Sequence, residues 1–263
     1  MAKSKGISLK KRHGQNFLRE ERYVYSMFDA VTLTDTTSVL EIGCGDGFLT
    51  RAILKNSIAR LRVYEIDEEW VRYIAETVLD DRLTLLLENF LDADLELLAE
   101  HAPWTVLANL PYHVTFPILY RFQEYRRFLK EGVVMVQEEV AQKIVKASGR
   151  GYGFASLYLQ YYFEWKLLDK VPPTAFYPAP KVFSRLLYFK PIQNPQPIVH
   201  EQEFWKFIKV CFKQPRRTMR NNIKGSQYET AGFSEDILSL RAQQMDMEKL
   251  LSLWHTITAY WND

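Results

Sequence analysis

Asn109, Leu110, Pro111 and Tyr112 follow directly on the apolar run TVLA at 105–108. A turn at the end of a buried strand needs Asn or Pro, but it has no use for an aromatic one step later. In an open α/β sheet ligands bind at the carboxyl ends of the strands, which is where this pattern puts Asn109. There the Asn109 side-chain oxygen and the Leu110 carbonyl can accept the two N–H groups of adenine N6. Two such acceptors draw the nitrogen toward a pyramidal form and expose a lone pair otherwise delocalised into the ring. Pro111 stiffens the backbone that carries them. Tyr112 offers a flat face on which a flipped-out base stacks. No general base is needed, because the alkylated nitrogen is acidic and sheds its proton afterwards. An Asn-Leu-Pro turn beside a core Tyr is the competing reading, and it would win if the four residues stood alone.

They do not stand alone. VLEIGCGDGFLT (39–50) places Gly43, Gly45 and Gly47 between a strand-like and a helix-like stretch. Glycines there permit a sharp turn and let a ligand approach without meeting a Cβ. A dinucleotide fingerprint needs a further Gly where Phe48 stands, which argues against a pyrophosphate ligand. Glu41 lies inside the motif, and Glu65 ends the next strand in YEID, where an acid can accept hydrogen bonds from ribose hydroxyls. An acidic rim without Arg or Lys in the loop suits a cationic nucleoside, and S-adenosylmethionine is such a ligand. A functionless strand-to-helix turn is the alternative.

The elements that must hold these residues are legible as an alternation. Strand-like pieces at 38–43, 61–67, 83–88, 105–110 and 132–137 are separated by helix-period segments at 48–55, 68–79, 94–101 and 116–125. That order predicts an α/β fold, a parallel sheet wrapped by helices. Seven prolines gather between 172 and 197, near two β-rich pieces, FEWKLL and SRLLYFK, and suit a rigid loop followed by a linker. From His200 onward the chain reads helical, with a long helix expected through FKQPRRT, and the domain boundary is placed near residue 195.

The chain has 263 residues, of which 47% are hydrophobic and 25% charged, as in ordinary globular proteins. No apolar run reaches the roughly 18 residues of a membrane helix, and the basic N-terminus has no apolar stretch behind it, so no secretory signal is expected. Two cysteines, Cys44 and Cys211, are too few for a disulfide framework and fit a reducing, cytoplasmic setting. The five histidines lack ligand spacing, and no metal is expected. The net charge of +2 conceals a local +5 over residues 1–22, including Lys11 and Arg12, and a local +7 without any acid over 206–224. Two basic segments on an acidic body are the footprint of a polyanion partner, with a solvated helix face as the plainer alternative.

Taken together, KRHGQNFL (11–18), the glycine loop, YEID, NLPY, MVQEEVAQKI (135–144), YGFASLYLQYYFE (152–164), VPPTAFYPAPKVFS (171–184) and FKQPRRTMRNN (212–222) resemble the rRNA adenine N6,N6-dimethyltransferase family, the kasugamycin-sensitivity methyltransferases. GQNFL and VPPTAFYPAPKV are specific to this group, whereas the glycine loop is common to many methyltransferases. The resemblance implies a Rossmann-like S-adenosylmethionine-dependent methyltransferase domain at 1–195 with a basic N-terminal segment. A small C-terminal helical RNA-binding domain would follow at 196–263. It implies transfer of two methyl groups to each of two adjacent adenosines near the 3′ end of small-subunit rRNA, by a monomer acting on a pre-ribosomal particle. Carried onto this sequence, Asn16 and Leu18 contact the cofactor, Gly43 lies beneath its methionine part, Glu65 holds its ribose and Asn109 lies close to it. Phe176 would stack on the target base opposite Tyr112. Where the family usually has Asp contacting the cofactor's adenine amine, this chain has Asn89, a neutral but still competent acceptor. His113 replaces an Asn just beyond NLPY, and the phosphate contacts fall to Arg216, Arg217 and Arg220. Two rival readings remain: a large-subunit rRNA adenine methylase of the macrolide-resistance type, and a ribosome-assembly factor that keeps the fold and binds RNA without catalysis. The short leader before KRHGQNFL makes a cleaved transit peptide unexpected.

Overall fold

SVLEI becomes a central strand because it can be buried on both faces, as parallel strands are; all five of its residues are buried. A computed structural model describes residues 3–8, 10, 15–228 and 232–261. Seven strands form the main sheet: β1 (Ser38–Ile42), β2 (Arg60–Glu65), β3 (Leu83–Leu87), β4 (Trp104–Asn109), β5 (Leu129–Gln137), β6 (Phe163–Val171) and β7 (Ser184–Pro191). Their spatial order is β3-β2-β1-β4-β5-β7-β6. The first five are mutually parallel, while β7 runs antiparallel to both β5 and β6. The sheet is therefore mixed rather than wholly parallel. The proline-rich stretch is not just loop and linker, because SRLLYFK inserts as a strand within it.

The order reverses between β1 and β4, the topological switch point at which doubly wound sheets open a crevice. Four helices accompany the parallel strands, α1 (Glu21–Asp29), α2 (Phe48–Leu54), α3 (Glu68–Thr77) and α4 (Thr115–Glu124), and α1, α2 and α4 contribute residues to that crevice. Asp67 caps α3 by accepting from the Glu69 amide at 3.2 Å, and Glu68 and Glu69 add charge of the favourable sign to its first turn. The helix expected at 94–101 is a 3₁₀ segment, Leu95–His101. Pro103 follows two residues later, so the segment has no room to extend into a stable α-helix.

The chain divides into two compact units, residues 1–142 with 163–191, and residues 143–162 with 192–263. The boundary placed near 195 thus falls at 191/192, and 143–162 folds with the second unit. The reason is aromatic packing: α5 (Phe154–Tyr162) lies against α6 (Glu201–Cys211), with Tyr158 and Trp205 edge-to-face at 4.8 Å. The long helix expected through FKQPRRT is absent. Helix α6 ends at Cys211, 212–218 is a loop and α7 (Met219–Ile223) starts afresh, as Pro215 would break a continuous helix. A final helix, α8 (Met247–Thr258), carries the buried Trp254.

Candidate active site

The turn after β1 is built on glycine for two separate reasons. Gly45 has φ +50°, and a Cβ there would come within 2.5 Å of the Phe17 ring. Gly43 has φ +77°, and a Cβ there would meet nothing within 4 Å. Gly43 borders a cavity of about 300 Å³ at the carboxyl ends of β1 to β4. Gly43, Glu65, Asn89 and Asn109 line it. So do Leu110, Pro111 and Tyr112 from the segment after β4, and Asn16 and Leu18 from the N-terminal segment. The structure thus brings together every residue predicted for cofactor and amine binding except Phe176.

Phe176 is placed apart from the others. It is 4% exposed, pairs with Leu18 in a two-residue ladder, packs into the main apolar core and does not line the cavity. An aromatic in a proline-rich segment reads equally well as a stacking platform or a core residue, and in this structure it is packed as a core residue. In this structure it does not face Tyr112 across the cavity.

Asn109 is oriented by its neighbours. Its Nδ2 donates to the backbone carbonyl of Asn16 at 3.0 Å. A carbonyl can meet only the N–H end of a carboxamide, so Oδ1 remains the end available to the cavity. Pro111 holds φ −64°, and the Leu110 amide donates to Met135 O at 3.1 Å. The Tyr112 hydroxyl lies 2.6 Å from Ser184 Oγ, which fixes the ring, and Thr115 Oγ1 ties the turn together through Pro111 O and Tyr112 O.

The two glutamates have different tasks. Glu65 Oε2 accepts from the Gly45 amide at 3.1 Å, and Oε1 from the Ile66 and Asp67 amides at 2.9 and 3.0 Å. Burial pushes its carboxyl up, and those three amides oppose the rise. A carboxylate has about four lone-pair sites, so Glu65 is a brace for the glycine loop as well as a candidate ribose acceptor. The brace is invisible in the sequence. Glu41 on β1 is fully buried, and its Oε2 accepts from Thr50 Oγ1 at 2.8 Å. Its Oε1 has no hydrogen-bond partner among the described residues, and Glu41 is one of the residues around the cavity. An orphaned buried carboxyl oxygen is satisfied by keeping a proton or by gaining a donor or a cation.

Burial pushes the Glu41 carboxyl up to about 8, against the Thr50 bond and with help from the charge of Glu65. A folded value above the unfolded one means the folded state keeps a proton that the unfolded chain releases. Stability attributable to Glu41 therefore falls as pH rises from the ordinary carboxylate range to about 8. Glu41→Gln should flatten the pH dependence of the ligand-free protein's melting temperature over that window and stabilise it at the alkaline end. Thermal unfolding at a series of pH values checks this; a variant whose slope matches the wild type would contradict it.

Sequence reasoning missed part of the cavity wall. Ile66 is 49% exposed beside the cavity, and Phe90 and Met135 also contribute to it. The available signal for Ile66 was an apolar residue directly after a strand-end acid. His113 lines the cavity as well and is exposed.

Part of the basic N-terminal segment is turned inward. Lys10 Nζ lies 2.6 Å from Asp67 and 2.7 Å from Glu69, and Arg19 lies 2.7 Å from Asp46 in the glycine loop. These two cations tie the segment to the start of α3 and to the glycine loop. Lys11 and Arg12 lie outside the described residues. In the second unit Arg216 and Arg217 are exposed and make no ion pair among the described residues, whereas Arg220 pairs with Glu235. The Arg216–Arg217 loop is braced by buried Asn222, which accepts from Gln214 N at 3.1 Å and donates to Gln214 O and Arg217 O. Among the described residues no helix is long and apolar enough to cross a membrane, and no cluster of His, Cys, Asp or Glu could hold a metal ion.

Comparison with known proteins bears on this geometry. The family model for ribosomal RNA adenine dimethylase matches residues 6–258. The chain is 34% identical to the Syntrophotalea carbinolica ribosomal RNA small subunit methyltransferase A, over 91% of this chain and 93% of that protein. It is also 34% identical to the Mycoplasma mobile protein of the same name, over 95% and 98% of the two chains. Among solved structures, a dimethyladenosine transferase from Plasmodium falciparum superposes with a TM-score of 0.76 at 18% identity, covering 92% of this chain and 97% of that one. The 23S rRNA methyltransferase ErmE superposes with a TM-score of 0.69 at 20% identity, covering 92% and 99%. Those two likenesses establish the Rossmann-like methyltransferase fold.

Proposed function

The chain belongs to the ribosomal RNA adenine dimethylase family and is an rRNA adenine dimethyltransferase; on that premise we propose that it methylates N6 of two adjacent adenosines near the 3′ end of small-subunit rRNA, with S-adenosylmethionine as donor. The substrate is the assembling small subunit, bound by a monomer. The observation that carries this reading is the Asn109 carboxamide, whose nitrogen is held by Asn16 O so that its oxygen is left for an amine in the cavity.

The residues present fit the cofactor. Gly43 leaves its backbone face open, Glu41 offers an unpartnered carboxyl oxygen, and Glu65 and Asn89 stand at the ends of β2 and β3. When bound, S-adenosylmethionine supplies an electrophilic methyl group on a positively charged sulfur. The chain's own part is positioning and polarisation. Asn109 Oδ1 and Leu110 O accept the two N–H groups of the target amine and concentrate its lone pair on the side away from them. Tyr112, fixed by Ser184, holds the base by its face. The proton leaves the alkylated nitrogen for water. The same ring face then serves the second transfer, in which the one remaining N–H donates to one of the two acceptors.

Mapping N6,N6-dimethyladenosine in small- and large-subunit rRNA, with and without the protein, tests the proposal. Modification confined to large-subunit rRNA would support the macrolide-resistance type of activity instead. Absence of modification from both, on free rRNA and on assembling particles, would leave an RNA-binding factor.

The unpaired arginines carry a separate expectation. Reversing the charge of Arg216 and Arg217 should weaken RNA binding and lower its log–log salt slope by at least about 2, leaving cofactor affinity unchanged. Titrations at several salt concentrations, with calorimetry for the cofactor, measure both. An unaltered slope would return this loop to the status of a solvated surface.

A further inference from the structure

We propose that Asp92 is a positioning residue for the cofactor's adenine, acting through Asn89; this rests on the cofactor assignment above. Asn89 stands just past the end of β3, next to the Glu65 corner, where Glu88 N donates to Glu65 O at 3.0 Å. A carboxylate at position 89 would accept from an adenine amine whichever way it turned. A carboxamide accepts with one end and donates with the other, so its orientation decides what it recognises.

Two contacts set that orientation. Asn89 Nδ2 donates to Asp92 Oδ2 at 2.6 Å, and Oδ1 accepts from the Leu91 amide at 3.1 Å. The flipped carboxamide would put its NH₂ against the Leu91 N–H and its oxygen against the Asp92 carboxylate, so both contacts would become repulsive. Oδ1 has two lone pairs, and Leu91 takes one. The other is available to a donor in the cavity that Asn89 lines. The exocyclic amine of adenine is a donor, and the 6-oxo group of hypoxanthine is not. Asp92 therefore makes a neutral residue behave as an obligate acceptor and supplies nearby the negative charge that Asn89 lacks. An Asx turn closed by Asn89 and Leu91 accounts for the backbone bond alone; it assigns no task to Asp92.

Both side chains are exposed, so the effect is modest and best read as a cycle. S-adenosylhomocysteine and its 6-oxo counterpart, S-inosylhomocysteine, are the probes, with calorimetry on the full chain. Asp92→Ala should weaken S-adenosylhomocysteine binding about fivefold and narrow its preference over the inosine compound by a similar factor. Asn89→Asp alone should also weaken binding, because it sets two carboxylates in contact. In the Asn89→Asp background, however, Asp92→Ala should tighten binding. This reversal of sign separates orientation from a structural role, which would cost affinity in both backgrounds. Equal effects of Asp92→Ala in the two backgrounds, or an unchanged preference for adenine, would overturn the proposal while leaving the cofactor assignment intact. Failure of the wild-type protein to bind S-adenosylhomocysteine would overturn both.

Discussion

Asn109→Ala should lower methyl transfer by about 10²–10³-fold at saturating S-adenosylmethionine, the scale observed when one preorganised polar group is deleted from an active site. The substitution removes the Oδ1 acceptor and breaks the bond to Asn16 O, which also holds part of the N-terminal segment at the cavity. Some loss of cofactor affinity is therefore expected, and rates must be compared at saturation. RNA affinity should change little, since phosphate contacts, here proposed for Arg216 and Arg217, supply most of such affinity. Asn109→Asp gives a second reading of the same atom: it keeps an acceptor but loses the N–H that meets Asn16 O, so the carboxylate is no longer oriented. Single-turnover methylation of small-subunit RNA, with RNA binding measured in parallel, decides the matter. Wild-type rates in Asn109→Ala would refute the mechanism.

Phe176→Ala should destabilise the first unit by about 3–5 kcal/mol, the cost of emptying a buried aromatic site. Phe176 sits in the core with Val24, Leu107 and Ala175 and holds the short ladder that carries Leu18 to the cavity. Phe176→Leu is the discriminating variant. If Phe176 is a core residue it should retain most of the stability, within about 1.5 kcal/mol, and most of the methylation. If instead the ring turns outward to stack on the target base, Phe176→Leu should keep the melting temperature and lose methylation. Chemical denaturation and single-turnover rates on the two variants separate these cases.

Much of the site was legible because its residues are constrained by local chemistry. A glycine loop between strand and helix, an acid at the next strand end and Asn-Leu-Pro-Tyr after a third strand state their types and spacing in the chain itself. The parallel part of the sheet was legible for the same reason, since 38–42 and 104–109 are largely apolar runs of strand length and 60–65 begins by alternating Arg with apolar residues. The mixed edge was not. FEWKLL and SRLLYFK read as β-rich, but nothing in their pattern says that β7 would insert between β5 and β6 in the antiparallel sense. Nor does the pattern of 143–162 show that it leaves the first domain to pack on Trp205.

By itself, then, the sequence determined which side chains could bind a cationic nucleoside and an aromatic amine, and roughly where along the fold they would stand. Only the tertiary structure decided which ends of those side chains are free to do so. Asn109 becomes an acceptor because Asn16, distant in sequence, takes its N–H. Glu65 becomes a brace because three amides converge on it, and Glu41 keeps one oxygen without a partner among the described residues because β1 is buried on both faces. The basic N-terminal segment likewise gives up Lys10 and Arg19 to Asp67 and Asp46. In each case the physical reason is the same. Residue type fixes the donors and acceptors a side chain owns, but burial and non-local partners fix which of them remain for a ligand.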